Sequence, residues 1–208
     1  MILPTAYLAP VSYYAALYHC PEVVIERHEH YVKQTLRNRC VIATGQGPQV
    51  LSVNVAKGNS PHTPISRLRV SNHANWMHQH LYSLATYYGN SPFYEYYIDD
   101  LKPLFPVVDG DLPLLMDMNE ALRSKICELI GFNPNIRYSD EWMGRSLTDE
   151  TGMIPTSSEA GHFAPVPYYQ VASAESRQPF LADMSILDLL FNMGPESILV
   201  LRDSWKKE

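Results

Sequence analysis

Two short apolar runs with one short helix between them constrain this chain more tightly than any other feature. Ile2–Tyr7 is the first run, and Pro10 ends it. Ser12 can cap a helix over Tyr13–His19, which Pro21 stops. Glu22–Arg27 is β-branched and returns as the second strand. Strand, short helix and strand in such close succession predict a small parallel βαβ unit.

A hairpin is expected next. Cys40–Thr44 and Gln49–Val55 are joined by Gly45-Gln46-Gly47-Pro48, and Leu51, Val53 and Val55 share one face, which should be half-buried. Ile65–Val70 alternates like a further short strand. A helix is expected over Asn72–Tyr88, broken by Gly89-Asn90. Ser91-Pro92 then offers a cap and a first-turn proline to a second helix ending near Leu101. Leu112–Ile130 carries the longest helical pattern: Leu115, Met118, Leu122, Ile126 and Leu129 recur at helical spacing, with Gly131 just beyond. Ile136–Ser139 reads as a short strand and 145–167 as a long loop. Ser185-Ile186-Leu187-Asp188 opens a helix over Ile186–Asn192, which Gly194-Pro195 interrupts and restarts. The expected fold class is α/β, a single domain over residues 1–208 with a mixed sheet, an N-terminal βαβ unit, a β-hairpin and several packed helices.

Composition narrows the function class. The 208 residues suffice for one sizeable core. A net charge of −6 argues against non-specific binding to nucleic acid or to an anionic membrane, both of which draw on excess basic charge. Three Cys, at 20, 40 and 127, suit neither a disulfide framework nor a paired-cysteine zinc knuckle. Met1-Ile2-Leu3-Pro4 lacks the basic start and apolar core of a secretory signal, and no stretch approaches the ~18 apolar residues of a membrane span. A cytoplasmic location is expected.

Against that acidic background, Tyr31-Val32-Lys33-Gln34-Thr35-Leu36-Arg37-Asn38-Arg39 gathers three of the 16 Lys and Arg residues into seven positions. Guanidinium forks suit carboxylate and phosphate, and Asn and Gln amides suit hydroxyls and carbonyls. Lys33, Gln34, Arg37, Asn38 and Arg39 are therefore candidate substrate-binding residues. As extended backbone, the segment puts Lys33, Arg37 and Arg39 on one face and Gln34 and Asn38 on the other. The plainer alternative is a solvated edge strand whose cations deter sheet pairing.

Trp76 and His80 lie four apart and share a helical face. An indole that can stack a sugar or base then stands beside His80, the candidate acid–base. A core tryptophan and a surface histidine are the competing explanation. Asp188, Asn192 and Glu196 recur at four-residue spacing, and Asn192 and Glu196 join the candidate binding residues, although a cap and a solvated carboxylate account for part of that pattern. No metal site is expected, because His28-Glu29-His30 and His78-Gln79-His80 lack further converging ligands. No GxSxG elbow, Walker loop or GxGxxG occurs, and Cys40 reads as small buried filler.

Several of these stretches fall in one ordered set. Leu3-Pro4-Thr5-Ala6-Tyr7-Leu8-Ala9-Pro10 with Tyr13-Tyr14, the Lys33–Arg39 run and its hairpin, Trp76 with His80, Tyr87, Ser91-Pro92-Phe93-Tyr94 and Tyr97 follow one another. Tyr168-Tyr169-Gln170 and the stretch Ser185–Glu196 complete the set. Together they resemble the WbqC-like family. The resemblance implies a place in bacterial surface-polysaccharide (O-antigen) assembly. That suggests a transferase acting on an activated sugar or its product, with a nucleotide-sugar or another anionic small molecule as ligand. It carries over no catalytic residues. At Ile154-Pro155-Thr156 the chain departs from the family, where a Lys is expected, so no phosphate contact is assumed from that loop. Two classes stay open: the transferase, and a non-catalytic binding or assembly partner of a glycan-biosynthesis enzyme, for which the 14 Tyr would furnish interface.

Overall fold

The computed structural model describes residues 1–56, 63–106, 111–143, 162–176 and 179–206. In chain order it forms β1 (Ile2–Pro4), α1 (Val11–His19), β2 (Val23–Glu26), β3 (Arg39–Thr44), β4 (Gly47–Ser52), α2 (Trp76–Tyr88) and α3 (Tyr94–Leu101). There follow α4 (Leu115–Ile130), β5 (Ile136–Tyr138), α5 (Val171–Ser176), α6 (Ile186–Met193) and α7 (Ser197–Asp203). Residues 144–161 lie outside the described residues, and with them Ile154-Pro155-Thr156 and most of the long loop expected at 145–167.

The βαβ unit forms as expected. β1 and β2 are parallel, Ile2 opposite Val24 and Pro4 opposite Glu26, and β5 adds in parallel to the other side of β2. The hairpin β3–β4 is a separate antiparallel sheet with Arg39 opposite Ser52. Its turn is shorter than the sequence suggested, because Thr44 already pairs with Gly47, whose φ of 109° needs a residue without a Cβ. The protein is thus α/β, with parallel and antiparallel pairings in two sheets. Among the described residues no helix is long and apolar enough to cross a membrane.

Three local expectations are corrected. Ser12 does not cap α1, which begins after Pro10; the Ser12 N–H and hydroxyl instead bond the two carboxylate oxygens of buried Asp183 at 2.8 and 2.9 Å. Ile65–Val70 is a 3-10 turn followed by isolated bridges, because its backbone bonds are split between the entry to α4 (Leu115 N–H to Leu68 O, Val70 N–H to Pro113 O) and the stretch after β4 (Ala56 N–H to Arg69 O) and build no continuous ladder with either. Ser91 does not cap α3. Its hydroxyl turns to Asn192 Oδ1 at 3.3 Å, and the helix starts later, at Tyr94. The end of α4 follows the sequence: Gly131, at φ 89°, donates to the Cys127 and Glu128 carbonyls.

The C-terminal segment is laced onto the turn between β1 and α1. Ser185 caps α6 and its hydroxyl donates to Leu8 O, while the Ile186 N–H bonds Ala9 O and the Val11 N–H bonds Met184 O. The Ser185 N–H reaches Val41 O on the hairpin, so one short segment ties both sheets together. Most of the buried apolar side chains form one cluster, including Leu3 and Ile25 of the sheet, Ile42 of the hairpin and Leu122, Leu189 and Phe191 of the helices.

Two carboxyls lie inside this arrangement. Asp183 bonds Ser12 as above, and Asp188 Oδ2 accepts from the Tyr168 hydroxyl and from Gln170 Nε2, each at 2.6 Å. Burial pushes each of them up to about 6, against hydrogen bonds that pull the other way. A carboxyl whose folded pKa is raised favours its proton in the native state. Its contribution to stability is therefore full below the unfolded pKa near ~4 and is lost as pH rises through about 6. In urea denaturation, Asp188→Asn should gain on the wild type by about 2 kcal/mol between pH 4 and pH 7. A pH-independent difference would show that Asp188 ionises as freely in the fold as in the unfolded chain.

Candidate functional site

The chain leaving β1 and the chain entering β3 meet at the carboxyl end of the parallel sheet, where open α/β sheets generally bind ligands. Thr5 directly follows β1, and two residues later the Tyr7 N–H bonds Leu36 O at 2.9 Å. The basic segment is not extended, as its alternation suggested. It folds into successive turns, with the Thr35 hydroxyl donating to Val32 O, the Asn38 N–H reaching Thr35 O, and Gln34 in the left-handed region at φ 64°. Lys33 and Gln34 therefore stand exposed at the tip, whereas Arg37 and Asn38 are each 7% exposed and Arg39 is half-buried at the start of β3.

Glu29, from the loop after β2, is what admits a guanidinium to this position. Arg37 Nε donates to Glu29 Oε1 at 2.7 Å, and Arg37 Nη2 pairs with Glu29 Oε2. Arg39 makes no ion pair among the described residues. Burial raises the pKa of the Tyr31 phenol, and the charges of Arg39 and then Arg37 oppose that rise. Asn119 of α4 donates from Nδ2 to Arg37 O at 2.9 Å and to Thr5 Oγ1 at 3.3 Å, while Asn38 Nδ2 donates to Val53 O at 2.8 Å.

What distinguishes this neighbourhood is what stays unpaired. Buried side-chain polar atoms nearly always have partners, and leaving one unmet costs about 1–3 kcal/mol. Among the described residues five such atoms lack a protein partner, and four of them belong here: Arg37 Nη1, Asn38 Oδ1, Arg39 Nε and Asn119 Oδ1. Donors and acceptors held ready beside a surplus cation can receive a polar, negatively charged group.

Trp76 and His80 approach the same region from α2, but as core. Trp76 is 2% exposed, its indole N–H bonds Ser71 O at 2.7 Å, and its ring meets His80 and Tyr7 edge-on, with centroids 4.9 and 6.3 Å away. No open indole face is left for a sugar. His80 Nδ1 lies 2.9 Å from the Tyr7 hydroxyl, and a backbone hydrogen bond ties the ring to Ser52, the cross-strand partner of Arg39. The cationic and imidazole-bearing stretches are thus linked through Tyr7 and β4.

Asn192 and Glu196 are not brought to this site. Asn192 is spent on the Val171 N–H, Ser91 and the Asp188 carbonyl, and Glu196 is exposed in the turn between α6 and α7. Sequence reasoning missed Glu29, Tyr31, Thr5 and Asn119. Asn119 had a readable signal, since it sits four residues after Leu115 and interrupts the apolar stripe of its helix.

Burial lowers the His80 pKa to about 4, and the Ser52 hydrogen bond only partly opposes this. The ring should therefore stay neutral from pH 8 to pH 5 in a long-range nitrogen–proton NMR titration and gain its proton near pH 4, while the fold loses the stability His80 contributes as pH falls from about 6.5 towards 4. Titration between pH 6 and 7 would mean that water reaches the imidazole.

A family model described as the WbqC-like protein family matches residues 5–162. No curated protein and no solved structure matches the chain. The matched span takes in Thr5, Tyr7, Glu29, the Lys33–Arg39 run, Trp76, His80 and Asn119, and leaves out the C-terminal stretches around Tyr168 and Ser185–Glu196. With well over half of its 208 residues inside the match, the site's residues among them, the chain belongs to the WbqC-like protein family.

Proposed function

We propose that this protein is a transferase of bacterial surface-polysaccharide or nucleotide-sugar assembly, binding an anionic, activated substrate through Arg37, Asn38, Arg39 and Asn119. One observation carries the reading: four buried polar atoms of these side chains lack partners among the described residues, at the carboxyl end of a parallel sheet. Hydrogen-bond donors fixed in advance by packing are the usual source of transition-state stabilisation, and Arg37 is fixed by two parallel hydrogen bonds to Glu29. Lys33 and Gln34, exposed on the same turns, serve the outer part of the substrate. His80 enters as a positioning residue. Only 3% exposed and neutral, it holds Tyr7, whose N–H bonds the basic segment at Leu36.

Titration calorimetry with UDP-, GDP-, CMP- and dTDP-linked sugars tests this. At least one should bind, and Arg39→Ala should weaken it tenfold or more, about 1.4 kcal/mol, while leaving the melting temperature of the free protein nearly unchanged. Absence of binding across the panel, or equal affinity in the variant, overturns the assignment. A tight protein complex without any small-molecule binding would instead support the assembly-partner role.

A further inference from the structure

The outer face of α2 differs in charge from the rest of the helical surface. The helix turns Trp76, Met77, His80, Leu84 and Tyr88 into the core, which leaves a stripe centred on Tyr82 on the opposite side. His78, Gln79, Tyr82, Ala85 and Thr86 make up that stripe and are all exposed, Tyr82 by 67%. The 13 residues of α2 include no Lys, Arg, Asp or Glu. By contrast, α3 exposes Glu95 and Asp99, α4 exposes Asp117 and Glu128, and α7 exposes Arg202 and Asp203. Loss of charge around an exposed aromatic is the composition of an interface core.

The polar groups of this stripe are also cheap to cover. Gln79 Nε2 donates to Ala74 O at 3.1 Å, and the Thr86 hydroxyl donates to Tyr82 O at 2.8 Å. Removing water therefore strands neither of these donors. The His78 ring stacks on Tyr82, with centroids 6.4 Å apart and planes at 13°, so both side chains are ordered before any contact is made.

The shape of the stripe fits a second copy of itself. His78, Tyr82 and Thr86 form one ridge at four-residue spacing, and Tyr82 is the midpoint of both the ridge and the Trp76–Tyr88 helix. Ala85, exposed on the adjacent row, is small and leaves a groove beside the ridge. A two-fold axis beside Tyr82 lays the two ridges antiparallel, each in the other's groove, at the crossing of about 50° that helices adopt most often. His78 of one copy then lies near the smaller Thr86 of the other, at both ends. Charge favours the same occupant. Two chains of net charge −6 repel over much of their surfaces, and uncharged faces let them meet without close like-charge pairs. A basic partner would find no carboxylate on α2 to pair with.

We infer that the protein forms a two-fold symmetric homodimer through α2, with Tyr82 beside the axis. A single helix face is a small interface, so the dimer forms in a concentration-dependent equilibrium. His80, nearly opposite Tyr82 on the same helix, holds Tyr7 as before, and the dimer is independent of the proposed substrate contacts.

Sedimentation velocity of the full chain over a concentration series tests this. The wild type should pass from monomer to dimer as concentration rises. Tyr82→Glu and Tyr82→Lys each set like charges beside the axis, and each should raise the dimer dissociation constant about tenfold or more. An equimolar mixture of the two variants should recover that loss, because opposite charges then meet, and recovery also shows that both variants are folded. Tyr96→Lys, at an exposed position on α3, should leave the dimer as it was. A wild type that stays monomeric at every concentration overturns the inference, as does a dimer indifferent to both Tyr82 variants or lost equally in Tyr96→Lys. Two weakened variants that do not recover on mixing overturn the two-fold contact and point to a different protein on this face.

Discussion

Burying the Arg37 guanidinium beside the Glu29 carboxylate is the constraint on which the arrangement of the candidate site depends. A buried ion pair seldom adds net stability, because desolvating both charges offsets most of their attraction. Its effect here is positional. Two hydrogen bonds to one carboxylate hold the turns before β3 against the loop after β2, and they leave the remaining guanidinium nitrogen, Nη1, unused. The same pair cancels one of the segment's three positive charges, which leaves Arg39 and the exposed Lys33 without an ion pair among the described residues.

Tyr7 transmits that order to the rest of the fold. Its N–H meets Leu36 of the basic segment, its hydroxyl meets His80, and its ring lies edge-on to Trp76. Because Trp76 and His80 are themselves buried, α2 acts as a rigid backing to the turns and not as a second wall of polar chemistry. Leu8, next in the chain, sits at φ 42°, a conformation that side-chain-bearing residues seldom adopt. Its carbonyl is held by the Ser185 hydroxyl, so the C-terminal segment secures the same turn from the other side.

The βαβ unit was legible because its strands are short, apolar and bounded by proline. The Leu115–Ile130 helix was legible because its apolar period is long and a glycine closes it. The conformation of residues 31–38 was not. Alternating charge suits an extended strand, but local hydrogen bonds from Thr35 and Asn38 and the left-handed Gln34 convert the run to turns, which separates exposed Lys33 from buried Arg37 instead of leaving them on one face. Ser12 and Ser91 are good caps by residue type, yet long-range partners, Asp183 and Asn192, claim their hydroxyls. Glu29 could not be paired with Arg37 from spacing alone, since the loop between them could close in many ways. Asn119 was the one absent site residue whose signal, a polar side chain on an apolar face, lay in plain view.

Nitrogen-15 NMR of the arginine side chains observes the central feature without reference to any reaction. With ligand added, the Arg39 Nε–H resonance should move and exchange with water more slowly, as an unpartnered donor gains an acceptor, while the Arg37 Nε–H, already bonded to Glu29, should stay nearly where it was. An Arg39 resonance unchanged at saturating concentrations of every anionic sugar and nucleotide-sugar would contradict the account, because the donor left open by the fold would then be open to nothing.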